Sequence, residues 1–221
     1  MSKTKYSVLI LFLSLLSSCF EAVEEITYTT EKAGKYSLTI NCSQSRDKIS
    51  AMMKLDTFMG RKIPKLYEID SHLAVAANAL RNSAGIHNVY YTFDERQYIG
   101  IIKFDFDSTT ALNKAVHNAL ETSSDKIKFP FTQIFSKNNL EFQRINTPGD
   151  SLIKVASKHN LSVFNNAKVT CIYRFKQEVV SSNNSLSKIA QNKKAVMIQY
   201  KLTELIKNPN LFKTSIILKW N

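Results

Sequence analysis

The chain has 221 residues and a formal charge of +12, with 44% hydrophobic and 22% charged residues. That balance is ordinary for a folded protein, and five Gly and four Pro argue against low-complexity or disordered architecture. Beyond the first twenty residues no run is apolar enough to cross a bilayer, which takes roughly 20 residues.

Lys3 and Lys5 give a positive start, and Val8 to Leu16 form an apolar run broken only by Ser14. Leu16-Ser17-Ser18-Cys19 closes it. A basic start, a short apolar stretch and small residues at the cut are the layout of a secretory signal. Cys19 directly after Leu-Ser-Ser resembles a bacterial lipobox. The resemblance implies that residues 1–18 are removed and that Cys19 carries palmitate-type acyl chains. A single chain holds a protein only marginally, whereas the several that lipoprotein maturation adds hold it stably. Phe20 follows Cys19 where an aspartate would retain an enterobacterial lipoprotein in the inner membrane, so the outer membrane is the expected destination. Glu21, Glu24 and Glu25 resemble part of the surface-export signal of Bacteroidota lipoproteins, which leaves the periplasmic and the cell-surface face both open.

Ile26, Tyr28 and Thr30, then Tyr36, Leu38, Ile40 and Cys42, alternate on either side of Lys32-Ala33-Gly34-Lys35 and predict a hairpin, with Gly34 taking positive φ. Ile49, Met52, Met53 and Phe58 predict a helix over 45–58. A second runs from about Leu66 to Asn82 through Ile69, Leu73, Ala76, Ala77 and Leu80, and Gly85 stops it. His87 to Phe93 and Tyr98 to Phe106 form the clearest hairpin, with Lys103, Asp105 and Asp107 outward. Asp107 or Ser108 caps a helix carrying Leu112, Ala115, Val116 and Ala119. The remainder is β-rich. Strands are expected at 131–135, 140–145, 169–175, 178–182, 194–201 and 212–219, with a helical turn at 203–207. The expected fold is α+β, a mainly antiparallel sheet backed by about three helices in residues 19–135. A β-rich half, 136–221, is expected to pack on it. Tyr36, Leu38, Ile40, Ile102, Phe104 and Phe106 should share a core with Leu73, Leu80, Leu112 and Val116.

Charge is unevenly spread. From Asp150 onward there are 12 Lys/Arg against three acids, while Cys19 to Gly149 has 16 against 15. Such asymmetry marks either a solvated face or an electrostatic partner. Outside the cytoplasm that partner would be anionic lipid or glycan rather than nucleic acid, met through residues such as Lys188, Lys193, Lys194, Lys201 and Lys207. With Cys19 acylated, Cys42 and Cys171 form an even pair in an oxidising compartment. They are either a disulfide or two buried thiols packing as small apolar groups.

No catalytic signature appears. His72, His87, His117 and His159 are scattered, and neither a metal-ligand spacing, a phosphate loop nor a nucleophile elbow occurs, so no cofactor or metal is expected. Asp105 and Asp107 share a strand face and read as its wet side before they read as cation ligands. Asp107-Ser108-Thr109 and Asp150-Ser151-Leu152 resemble Bacteroidota O-glycosylation acceptors, although Ser108 and Asp150 also suit helix caps.

Cys19-Phe20-Glu21, Glu24-Glu25, the Gly34 hairpin, Gly85 before a strand and Phe104-Asp105-Phe106-Asp107 resemble an uncharacterised group of Bacteroidota lipoproteins. The element order is also similar to the mycobacterial LppM-type lipoprotein domain. These resemblances imply location and fold and bring no catalytic residues. The sequence therefore reads as a lipid-anchored envelope lipoprotein acting as a non-enzymatic binding or structural component. An envelope enzyme, hydrolase-like, with a site assembled from distant residues stays open, as does a carrier of a small apolar ligand.

Overall fold

In the computed structural model the described residues are 20–55, 57–58, 61–62, 65–122, 133–146 and 166–220. Cys19, Ser151 and His159 lie outside them. The strands are β1 (Glu21–Tyr28), β2 (Gly34–Asn41), β3 (Thr57–Phe58), β4 (Arg61–Lys62), β5 (Ile86–Asp94), β6 (Ile99–Phe106), β7 (Phe135–Lys137), β8 (Glu141–Arg144), β9 (Lys168–Arg174), β10 (Val179–Ser182), β11 (Ser187–Ile189), β12 (Ala195–Lys201) and β13 (Thr214–Leu218). The helices are α1 (Arg46–Met52), α2 (Leu66–Arg81), α3 (Thr109–Thr122) and α4 (Leu202–Lys207). The fold is α+β. Among the described residues no helix is long and apolar enough to cross a membrane.

A seven-stranded sheet has the order β11-β12-β9-β1-β2-β6-β5, and a four-stranded antiparallel sheet the order β10-β13-β8-β7. The large sheet is mixed: β1 runs parallel to β9 and antiparallel to β2. It takes β1, β2, β5 and β6 from before residue 135 and β9, β11 and β12 from after it. Period-two alternation gives it one apolar face, with Ile26 and Tyr28 of β1, Tyr173 of β9, Val196 and Ile198 of β12, and Phe104 and Phe106 of β6 all buried. The opposite face carries Lys35, Lys103, Asp105 and Arg174 and stays wet.

Two coverings share the apolar face. Over β5 and β6 lie α2 and α3, which bury Ala77, Leu80, Leu112 and Ala115. Beside them the small sheet sends Phe142, Arg144, Ile216 and Leu218 inward. Asn113 of α3 stitches the two. Its Nδ2 donates to the Phe135 carbonyl (2.8 Å), and its Oδ1 accepts from the amides of Ile134 (3.0 Å) and Phe135 (2.9 Å). Of the expected core, Tyr36, Ile102, Phe104, Phe106, Leu80 and Leu112 are buried, Leu38 and Val116 are partly buried against it, and Ile40 and Leu73 are only half-buried and lie outside the core cluster. Ser108 caps α3 by accepting from the Ala111 amide at 3.1 Å.

Three local expectations are corrected. Gly34 is the first residue of β2 and does not take positive φ; Gly85 does, at +76°. Gly34 is needed for space instead: a Cβ there would strike the Thr27 carbonyl oxygen and come within 2.7 Å of the Phe106 ring. The helix expected over 45–58 stops at Met52, and β-branched Thr57 with Phe58 forms β3. Tyr98, placed on the inward face of a strand, lies in the β5–β6 turn with φ +54°.

Candidate functional site

Beneath α1 and α2 the apolar face is incompletely filled. A cavity of about 220 Å³ lies there, and its lining surface is wholly apolar. Leu38, Ile40 and Cys42 form one wall from β2, and Ile69 and Leu73 of α2 another. Ile49 of α1, Phe93 of β5 and the Tyr98 turn complete it. Gly100 of β6 is part of its floor. It sits between Ile40 and Phe93 in register, on the parity of Ile102 and Phe104. A Cβ there would meet the Leu73 Cδ1 at 3.5 Å, ordinary contact distance. A glycine in a strand interior often marks close approach of a ligand or another backbone.

The volume sets the guest. An apolar cavity of about 150 Å³ stays dry and holds benzene, while drug-sized pockets start near 300 Å³. If each methylene fills the ~30 Å³ of one water, the space suits roughly seven carbons. Cys42 is a free thiol at the rim of this cavity, its amide donating to the Tyr98 carbonyl at 3.0 Å. Burial pushes its pKa up.

The cavity lies at a defined end of the molecule. Glu21, where β1 begins, pairs with Asn41, the residue before Cys42. The Phe20 carbonyl already accepts from the Lys168 amide at 2.8 Å. The chain therefore enters the sheet directly after residue 19, beside the cavity.

The second cluster of chemistry-bearing groups is buried. Arg144 of β8 is 3% exposed, and its Nη2 donates to the Glu24 carboxylate at 3.2 Å. Its Nη1 donates to the other Glu24 oxygen, to the Tyr173 hydroxyl at 2.9 Å and toward the Cys171 Sγ at 3.8 Å. The guanidinium carbon lies 4.5 Å from the Phe212 ring centroid and 5.2 Å from that of Phe135. Burial alone would lower the Arg144 pKa, but the Glu24 carboxylate together with the Tyr173 and Cys171 side chains more than offsets it and the net direction is upward. Burial pushes the Cys171 thiol up to about 12 and raises the Tyr36 and Tyr173 phenols well above their ordinary value. Arg144 Nε finds no acceptor among the described residues. The arrangement is an electrostatic pin between the two sheets.

Cys171 and Cys42 are both free. Cys171 stands opposite Glu24, itself opposite Leu38. Four residues of β2 direction therefore separate Cys42 from that row, about 13 Å along the strand, beyond the reach of a disulfide.

The five lysines expected to meet an anionic surface are all exposed, and the fold divides them. Lys193 and Lys194 occupy the β11–β12 turn, and Lys188 faces Met197 within that hairpin. Lys201 ends β12 at the opposite end of the sheet, 3.5 Å from Glu204, and Lys207 ends the α4 that follows. The two ends are about 20 Å apart, the length of β12. His87 pairs with Asp107 at 2.9 Å and His117 with Glu121 at 3.5 Å, while His72 is exposed on α2. Asp105 is held by Asn88 (2.9 Å) and Lys35 (4.0 Å). Among the described residues no group of three metal-ligating side chains assembles. Sequence reasoning missed Gly100 and Arg144. The available signals were an isolated glycine in a strand pattern and two opposite charges, Glu24 and Arg144, on apolar parities.

No protein-family model matches the chain, and no curated protein matches it. Among solved structures it is similar to the folded domain of the LppM protein of Mycobacterium tuberculosis, determined by NMR. The two share 13% identity over 91% of this chain and 90% of that one, with a TM-score of 0.42. The Bacteroidota resemblance has no matching family model.

Proposed function

We propose that this chain is a lipid-anchored component of the cell envelope, held in the outer membrane through Cys19, that works by binding an apolar ligand rather than by catalysis. The cavity carries this reading: a wholly apolar space of about 220 Å³ at the end where the chain enters the fold. With Phe20 already paired to Lys168, an acylated Cys19 has no linker, and the cavity end rests at the leaflet. The ligand class is a short alkyl chain or the end of a longer one. Burial contributes about 0.8 kcal/mol per methylene, or roughly fourfold in affinity.

Cys42 supplies the readout. Normal alkanols from butanol to decanol should protect it from iodoacetamide, with affinity rising about fourfold per methylene and levelling near seven carbons. Absence of protection, or protection independent of chain length, removes the ligand reading. The anchor is tested separately. Labelled palmitate should enter the wild type and not Cys19→Ala, and equal labelling of both would end that half of the proposal.

A further inference from the structure

A different set of residues gathers at the far end of the sheet, about 25 Å from the entry of β1 by strand length. There the edge strand of the small sheet meets the large one: the Val179 amide of β10 donates to the Lys193 carbonyl of the β11–β12 turn at 2.6 Å, while the Lys219 amide donates to the Glu178 carbonyl at 2.8 Å and so extends the β10–β13 ladder into the same corner. A register shift between Val179 and Ser181 turns Val180 outward, leaving it 61% exposed. Ile189 of β11 is exposed beside it, and both line one hollow with Lys193 and Lys219. Trp220 follows Lys219 and is 68% exposed.

The same corner is cationic. Lys193 holds φ +55° in a turn closed by its own amide on the Ala190 carbonyl (2.8 Å), and the Lys194 carbonyl accepts from the Phe175 amide (2.9 Å). Lys176 projects from the adjoining turn, exposed. Among the described residues Lys176, Lys193 and Lys194 make no ion pair, and only Lys219 has one, with Glu178 at 3.5 Å.

We propose that this corner docks on an anionic lipid surface, with Trp220, Val180 and Ile189 entering the interfacial zone and Lys176, Lys193, Lys194 and Lys219 against the headgroups. The pairing of residue types makes the choice. Trp favours the boundary where one side is apolar and the other wet, and lysine stems lie along apolar surface while their ammonium groups stay in water. Each lysine near an anionic leaflet contributes about a fivefold gain in affinity, the equivalent of ~1 kcal/mol. A polyanion in solution would match the lysines and leave Val180 and Ile189 unused. The corner lies opposite the end that an acylated Cys19 would hold, so it meets a surface other than the one anchoring the chain.

Trp220 is the one tryptophan in the sequence, so its emission reports on the corner alone. The chain from residue 19, carrying Cys19→Ser to leave it without an anchor, is mixed with phosphatidylglycerol–phosphatidylcholine vesicles. The emission should shift to the blue and be quenched by brominated acyl chains, and added salt should weaken both effects. Lys193→Gln with Lys194→Gln should lower vesicle affinity about thirtyfold, and the two Glu variants by more. Lys201→Glu with Lys207→Glu, at the other end, should leave it unchanged. No quenching, equal losses in the two pairs of variants, or a shift with dextran sulfate but none with vesicles would each overturn the proposal.

Discussion

The two coverings of the large sheet are built to different tolerances. Under the small sheet the inward positions carry buried side chains, among them Phe142, Arg144, Ile216 and Leu218. Phe142 is fully buried, tilted against Tyr173 at 4.7 Å and stacked with Phe135 at 6.1 Å, and Tyr28 packs edge-on to Phe142 at 5.9 Å. Even the charge admitted there, Arg144, is enclosed by rings and a carboxylate. Under α1 and α2 the same face keeps Leu38 and Ile40 only partly covered and leaves a cavity. A sheet laid on a sheet interdigitates side chains along its whole length. A helix offers only a stripe, and beside Gly100 of β6, where α2 sends only the tip of Leu73, the filling is incomplete. Stability is concentrated on one side of Asn113 and room for a guest on the other.

Breaking the pin tests the tight side most severely. Arg144→Ala leaves Glu24 buried without its partner, which should destabilise by about 3–5 kcal/mol, read from the denaturant midpoint. Arg144→Met combined with Glu24→Leu removes both charges and should recover most of that loss, since paired buried charges are often replaceable by apolar groups. A loss below about 1 kcal/mol in the single variant would mean that the small sheet holds without the pin.

Much of the tight side was hidden in the sequence, while the loose side was largely legible. The β1–β2 and β5–β6 hairpins and α2 arise from local alternation and 3.6-residue spacing, which a short window contains. Ser108 as a cap is equally local. The parallel pairing of β1 with β9 joins Glu21 to Lys168 across 147 positions, and no window holds it. Glu24 and Arg144 each fell on an apolar parity, but what joins them is the packing of one sheet on the other. Lys193 and Lys219 line one hollow only because β10 and β13 return to the β11–β12 turn.

Alkaline pH separates the two sides through their thiols. Cys171, on the tight side, has its pKa pushed by burial from 9.0 to about 12. A raised pKa contributes stability that is complete below the unfolded value and is lost as pH climbs toward the folded one. Between pH 9 and 12 the unfolded chain releases this proton while the folded chain keeps it. At pH 10, one unit into that window, the loss from Cys171 is about 1 kcal/mol. Cys171→Ala should therefore show a shallower fall in stability from pH 9 to 10 than the wild type, whatever its stability at pH 7. Parallel slopes for the two proteins would show that Cys171 ionises as freely folded as unfolded.

The smallest change in stability should come from the loose side, with the largest change in binding. Gly100 is in an ordinary β conformation, its φ outside the positive region, and a Cβ there reaches Leu73 at 3.5 Å without a clash. Gly100→Val fills part of the cavity with two methyl groups and replaces a residue that weakens strands. Its stability should match the wild type or exceed it by about 0.5–1 kcal/mol, the usual return of a cavity-filling change. Alkanol protection of Cys42 should weaken in the same variant, its levelling point falling from about seven carbons to about four. If stability fell by 2 kcal/mol or more, the space would be closed by packing tighter than the geometry of Gly100 implies. If the levelling point stayed near seven carbons, the alkanols would reach Cys42 from outside the cavity. Gain in stability with loss of binding is the signature of a void kept open for a guest, and it is the result that would set the helix-covered side apart from the sheet-covered one.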